Sequence, residues 1–281
     1  MSPALQVPVA GQTPKIARPV LGVFAALLVS SSMQPARADE GMWTLTDFPR
    51  ERISRKYGFQ VTDEWLRKVQ LASLRLANGC SGAFVSGEGL VMSNHHCVSE
   101  CIVEQSSALR DLNRSGYYAS SHAAELKCSS LEFHQLMEIE DVTSRLQAAT
   151  KGLSDAEFGG GLRREISRLE QDCATATKLR CDVVTLYHGG KYHLYKYRRY
   201  SDIRLVFLPE TSTARFGGDP DNFNYPRYSL DVSFVRVYDN GQPLKTPNFF
   251  PVNPVGVTPG ELVFSTGNPG STQRLMTVSQ L

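Results

Sequence analysis

The sequence predicts a mainly β protein with helices: a small β-barrel with a helical excursion between its early and late strands. Three observations carry this. Short apolar runs bounded by turn residues occur before residue 100, a capped and charged amphipathic stretch fills the middle, and short strands resume after Cys181. Evenly punctuated short strands are the signature of small barrels, and a helical period between them marks an insertion.

The elements follow in order. Thr62-Asp63-Glu64 opens a helix, with Thr62 as cap and two acids at the positive helix end. Trp65, Leu66, Val69 and Leu76 sit near helical spacing, and Asn78-Gly79 predicts the stop. The runs Ala-Phe-Val at 83–85 and Leu-Val-Met at 90–92, joined by Gly87-Glu88-Gly89, read as a hairpin. The middle of the chain reads as helical, where Ser154-x-x-Glu157 is a capping box ahead of a charged run to about Cys173. From Cys181 the runs at 183–187, 193–197 and 203–207 read as a meander with a Gly189-Gly190 turn. A loop rich in Gly, Pro, Asp and Asn spans 211–228. Alternation resumes at 232–237, Asn240-Gly241 makes a turn, and 262–264 reads as a last strand.

The 281 residues carry 41% hydrophobic and 21% charged side chains, an ordinary globular balance, and a formal charge of +2. Residues 1–38 contribute Lys15, Arg18 and Arg37 and no acid, so the remainder carries −1. Such neutrality argues against nucleic acid or an anionic membrane as partner. Residues 1–38 read as a secretory signal: a basic start, an apolar run at 20–29 too short to span a bilayer comfortably, and Ala36-Arg37-Ala38 as cleavage site, leaving 39–281 as the mature domain. The competing reading is a membrane anchor. The expected location is periplasmic or extracellular, with no membrane association once the signal is removed. All six cysteines follow this segment, and an even count in an exported chain argues for disulfides. Cys173 and Cys181 flank a helix-to-strand change, Cys80 and Cys97 bracket the hairpin, and Cys101 with Cys128 follows by elimination.

Asn94-His95-His96-Cys97 directly after a buried strand is the densest chemistry in the chain. Three readings compete. His96 is a general base able to take a proton from a serine hydroxyl; or His95, His96, Cys97 and Cys101 ligate zinc, though adjacent histidines suit one tetrahedral centre poorly; or both histidines are structural.

A histidine immediately before a cysteine that bridges to an upstream strand resembles the chymotrypsin-like serine peptidases, and on that resemblance the base is His96, not His95. Three longer motifs narrow it: Glu40-Gly-Met-Trp43, "CSGAFVSGEGLVMSNHHC" and "RFGGDPDNFNYPRYSLDVSFVRVY". In this order they resemble the bacterial dipeptidyl-peptidase 7/11 family, exported serine exopeptidases that release dipeptides from free N-termini. The resemblance runs from Asp39 to the GNPGST segment. It implies the first β-barrel of a chymotrypsin-like double-barrel peptidase. It also implies Asp231 as the acid that orients His96, and Asn222 with Phe223 beside the substrate's α-amine. Phe223 departs from the family's Trp and lacks an indole N–H, and Asn224-Tyr225-Pro226 departs from its Met-Trp-Pro. Asp219 and Asp221 are rival acids but read as turn formers.

The resemblance places the nucleophilic serine in a second barrel, so the chain reads as an N-terminal portion, inactive alone, with no nucleophile of its own. Ser271 is the one late candidate, but Pro269 stands where a Gly-x-Ser-Gly motif needs serine. No cofactor and no metal are expected. The expected partners are peptides with a free N-terminus, and the family implies a homodimer. The alternative function is a non-catalytic exported module that binds peptides.

Overall fold

The computed structural model describes residues 41–221 and 224–268, all within the compact unit Glu40–Leu281. The predicted signal with its cleavage site, the Asn222-Phe223 pair and the Pro269-to-Ser271 stretch lie outside the described residues.

Two helices, α1 (Arg50–Tyr57) and α2 (Asp63–Ala72), precede the first strand. Thr62 caps α2 by accepting from the Trp65 N–H at 3.1 Å. The helix was expected to reach Asn78, but it ends at Ala72 and Ser73–Leu76 is strand β1. The Leu74 and Leu76 side chains alternate inward there while β1 pairs with neighbours on both sides. Two-sided pairing outweighs a helical spacing that one leucine extended.

The hairpin forms as expected from β2 (Ser81–Phe84) and β3 (Leu90–Ser93). Helices α3 (Ser99–Gln105) and α4 (Leu112–Ser115) follow, with short strands β4 (Tyr117–Tyr118) and β5 (Leu126–Lys127). The stretch read as helical also holds β6 (Phe133–Asp141), a nine-residue strand. Its burial pattern lacks clean alternation because it pairs with β1 on one side and β8 on the other, with a bulge at Leu136/Glu138. The helical excursion is α5 (Thr143–Thr150) and α6 (Asp155–Thr177). Its capping box is made: the Ser154 backbone N–H donates to the Glu157 carboxylate at 3.2 Å.

Strands β7 (Arg180–Leu186) and β8 (Lys191–Tyr200) form the expected hairpin, but β9 (Asp202–Leu208) does not extend the meander. After Ser201 the chain leaves this ladder, and β9 pairs with β4, β5 and β10 instead. Helix α7 (Thr211–Ala214) leads into the loop, then β10 (Ser233–Asp239) and β11 (Gln242–Pro243) close on an Asn240-Gly241 turn with both φ positive. No strand forms at 262–264. Leu262 and Phe264 instead pack against the cluster of Ile53, Val61 and Leu66, and the Phe264 ring also meets Phe59 and Trp65.

The described residues make an 11-stranded sheet whose main path runs β4-β9-β10-β3-β2-β1-β6-β8-β7, with β5 and β11 alongside β9 and β10. The ladder is antiparallel and open rather than closed by hydrogen bonds. The chain completes the ring: β5 pairs with β9, and the next segment leads into β6 beside β1. The curled part wraps one core, including Leu74, Phe84, Val91, Phe133, Leu205 and Val235. A second cluster, with Leu146, Leu169 and Leu194, seats the helices on the far strands.

Candidate active site

The site grows from the end of β3. Burial alternates past the strand itself: Val91, Ser93, His95 and Cys97 face in, while Met92, Asn94 and His96 face out. The period of two therefore separates the two histidines before any chemistry does. His95 is 4% exposed. Burial holds its pKa below the usual histidine value, its hydrogen-bond partner is the Pro209 carbonyl beyond β9, and its Nε2 has no partner among the described residues. His95 is thus a neutral packing group under the sheet end.

The His96 side chain is 62% exposed. Its turn is tethered by the Cys80–Cys97 disulfide and by the Asn78 amide, which donates to the Cys97 carbonyl at 3.0 Å. The remaining predicted pairs, Cys101–Cys128 and Cys173–Cys181, also form. Cys80, His96 and Cys97 cluster closely, but the disulfides occupy the thiolates that the zinc reading requires.

The acid arrives from the other end of the chain. Strand β10 pairs antiparallel with β3, Ser233 opposite Ser93. Two residues further along that register, Asp231 comes opposite His95, beside His96. Asp231 Oδ2 lies 2.8 Å from His96 Nδ1, and Oδ1 accepts from the His96 backbone N–H at 3.2 Å. The carboxylate side chain is only 19% exposed. Nδ1–H donation to a carboxylate fixes the tautomer and leaves Nε2 as the free lone pair facing solvent. Among the described residues no serine hydroxyl bonds to the His96 ring.

The rival acids stay apart from this pair. The Asp219 side chain is 96% exposed and faces Arg215, while the Asp221 carboxylate packs on Gly217. Gly217 has φ +81°, and a Cβ there would collide with that carboxylate, so both features belong to the loop's own turn. The segment at 266–268 lies beside the site's tether: the Asn268 N–H donates to Ser81 Oγ at 2.7 Å, next to Cys80.

Sequence reasoning reads Asn94 as support beside His96 without naming its partner, and it missed Ser233. The Asn94 amide donates to the Asp231 carbonyl at 2.9 Å, and the Ser233 hydroxyl donates to the Asn94 carbonyl at 2.9 Å. The available signal was their positions, two residues from His96 and from Asp231.

A family model described as Peptidase S46 matches residues 38–281. The chain is similar to dipeptidyl-peptidase 7 of Porphyromonas endodontalis, 33% identical over 86% of this chain and 32% of the relative. It is also similar to the Asp/Glu-specific dipeptidyl-peptidase of Porphyromonas gingivalis, 30% identical over 94% of this chain and 40% of the relative. Among solved structures, Porphyromonas endodontalis DPP11 in complex with the dipeptide Arg-Glu superposes with a TM-score of 0.66 at 26% identity, covering 79% of this chain and 35% of that one. The chain therefore spans about a third of the length of the curated relatives it matches.

Proposed function

We propose, from the premise that the chain belongs to the peptidase S46 family, that it supplies the general base and the orienting acid of a serine-type dipeptidyl-peptidase. The observation that carries the reading is the His96–Asp231 pair at 2.8 Å, held between a disulfide-tethered turn and the start of β10.

In this reading His96 Nε2 takes the proton of a serine hydroxyl as its oxygen attacks the scissile carbonyl. Asp231 stabilises the imidazolium that results, and the same proton then passes from Nε2 to the leaving amine. The serine lies outside these 281 residues. Pro269 takes its place in Gly267-Asn268-Pro269-Gly270 and offers neither a hydroxyl nor an N–H. Asn222 accepts from the substrate's α-ammonium through its amide oxygen, and Phe223 offers an aromatic face beside it. These two contacts confine cleavage to dipeptides at a free N-terminus. We also propose export to the periplasm or beyond, since three disulfides persist where thiols are oxidised, and assembly as a homodimer.

The test is direct. The purified 281-residue chain should hydrolyse no dipeptidyl substrate, whereas an active peptidase containing it should lose turnover on His96→Ala. Turnover by the chain alone, abolished by Ser271→Ala, would overturn the placement of the nucleophile.

A further inference from the structure

We infer that Asn94 is a positioning residue, the part that holds the carboxylate of Asp231 in line with the His96 ring. The inference rests on the reading of these two as acid and base.

Asp231 lies just before β10 rather than on a strand, and residues 224–232 form neither helix nor strand. Among the described residues after α7, the nearest backbone anchor before it is the Leu230 N–H, which donates to the Thr213 carbonyl at 3.0 Å. A carboxylate carried by such a segment has no fixed direction unless something local supplies it. The His96 backbone N–H fixes one oxygen at 3.2 Å. Asn94 supplies the remaining constraint. Its side-chain N–H₂ donates to the Asp231 carbonyl at 2.9 Å and reaches Oδ2 at 3.4 Å. One amide therefore holds both the main chain and the side chain of the acid.

Asn94 is itself held. Ser233, fully buried, donates its hydroxyl to the Asn94 carbonyl at 2.9 Å. Ser93 donates to the Ser81 carbonyl at 2.8 Å, which joins the same turn to the strand after Cys80. Residues 94 and 231–233 are thus cross-bonded in both directions across the end of the β3–β10 ladder. Only a side chain with an N–H donor of this length reaches a carbonyl and a carboxylate together. Serine is too short, and aspartate would set a second negative charge against Asp231.

The tautomer of His96 reads this alignment, and ¹⁵N NMR of the 281-residue chain above the imidazole titration measures it. An unrestrained imidazole favours the Nε2–H form, whereas donation to Asp231 holds the Nδ1–H form. Wild type should show Nδ1–H, and Asp231→Ala should show Nε2–H. Asn94→Ala should raise the Nε2–H to Nδ1–H ratio about 3- to 10-fold, the change that loss of one ordinary hydrogen bond produces. Ser233→Ala should give a smaller change in the same direction. Thermal melting of each variant separates loss of alignment from loss of fold, and Asn94→Ser serves if the alanine variant does not fold. A folded Asn94 variant with the wild-type tautomer overturns the inference and leaves the acid–base reading standing. An Nε2–H form in wild type overturns that reading itself.

Discussion

Two histidine–carboxylate pairs are hydrogen-bonded among the described residues, and their surroundings differ. His96 and Asp231 lie 2.8 Å apart but 135 residues apart in sequence. His134 and Glu132 lie 2.6 Å apart and two residues apart, at the start of β6. By distance the second pair is the better one. Exposure and competition separate them. The His134 ring is 1% exposed, and its other nitrogen, Nδ1, is buried without a partner among the described residues. Its carboxylate is also shared, since Arg199 donates to Glu132 through two nitrogens and that guanidinium holds the Glu132 pKa down at about 2. Such a carboxylate is committed to structure, and such an imidazole cannot meet a substrate. The His96 side chain is 62% exposed, and its contact with Asp231 is made through Nδ1. A short histidine–carboxylate contact therefore identifies a pair; the accessibility of the second ring nitrogen identifies a candidate base.

The contrast can be broken most sharply in an active peptidase containing this chain. His96→Ala should lower kcat by about 10³-fold or more, while His134→Ala should leave kcat per folded molecule within a few-fold and lower the melting temperature. A comparable loss of kcat in both variants would erase the distinction. Next in size is the tether. Replacing both Cys80 and Cys97 by alanine removes a loop of 17 residues from the unfolded-state constraint and should cost about 3 kcal/mol by denaturant titration. A cost near zero would mean that the ladder alone holds the His96 turn.

Acid sharpens the structural pair. Glu132 titrates in the folded state at about 2 against an ordinary 4.5, so its contribution is complete above about 4.5 and is lost as pH falls toward 2. Arg199→Ala releases the carboxylate and should move the acid-unfolding midpoint upward by roughly half a pH unit, read by circular dichroism. An unchanged midpoint would remove Arg199 as the cause. The smallest effect belongs to His95. Its pKa is held below 6.5 by burial, so stability is full above that value and declines as pH falls below it. His95→Gln should flatten that decline by less than about 1 kcal/mol, and an identical slope would show that another group titrates there.

The legible parts of this molecule were those whose signals are local. The β2–β3 hairpin, the Ser154 cap, the Asn240-Gly241 turn and the three disulfides each declare themselves within a few tens of residues. The strands missed or misread were decided at long range. Ser73–Leu76 carries helical spacing but pairs on both sides, Phe133–Asp141 lacks alternation because it too is flanked twice, and Asp202–Leu208 follows Tyr200 by one residue yet joins different neighbours. The pair at the site came from a resemblance rather than from pattern, because nothing near Asp231 announces a partner so distant. The register of β10 on β3 supplies the physical reason afterwards. The partner of the Asn94 amide stayed unread, since one asparagine before two histidines gives no hint of which carbonyl it serves.

That register has a kinetic consequence. Cysteines 80 and 97, 101 and 128, and 173 and 181 are separated by 17, 27 and 8 residues, so each cross-link joins chain that emerges close together during synthesis. Strand β10 must instead find a partner made some 140 residues earlier, with Ser233 meeting Ser93. Contacts of such separation carry the largest loop-closure entropy and are formed late. The nascent molecule thus holds its imidazole ready on a bridged turn while the matching carboxylate is still unmade. Docking of the last long strand completes the pair, so the His96–Asp231 contact is itself a report that folding has finished.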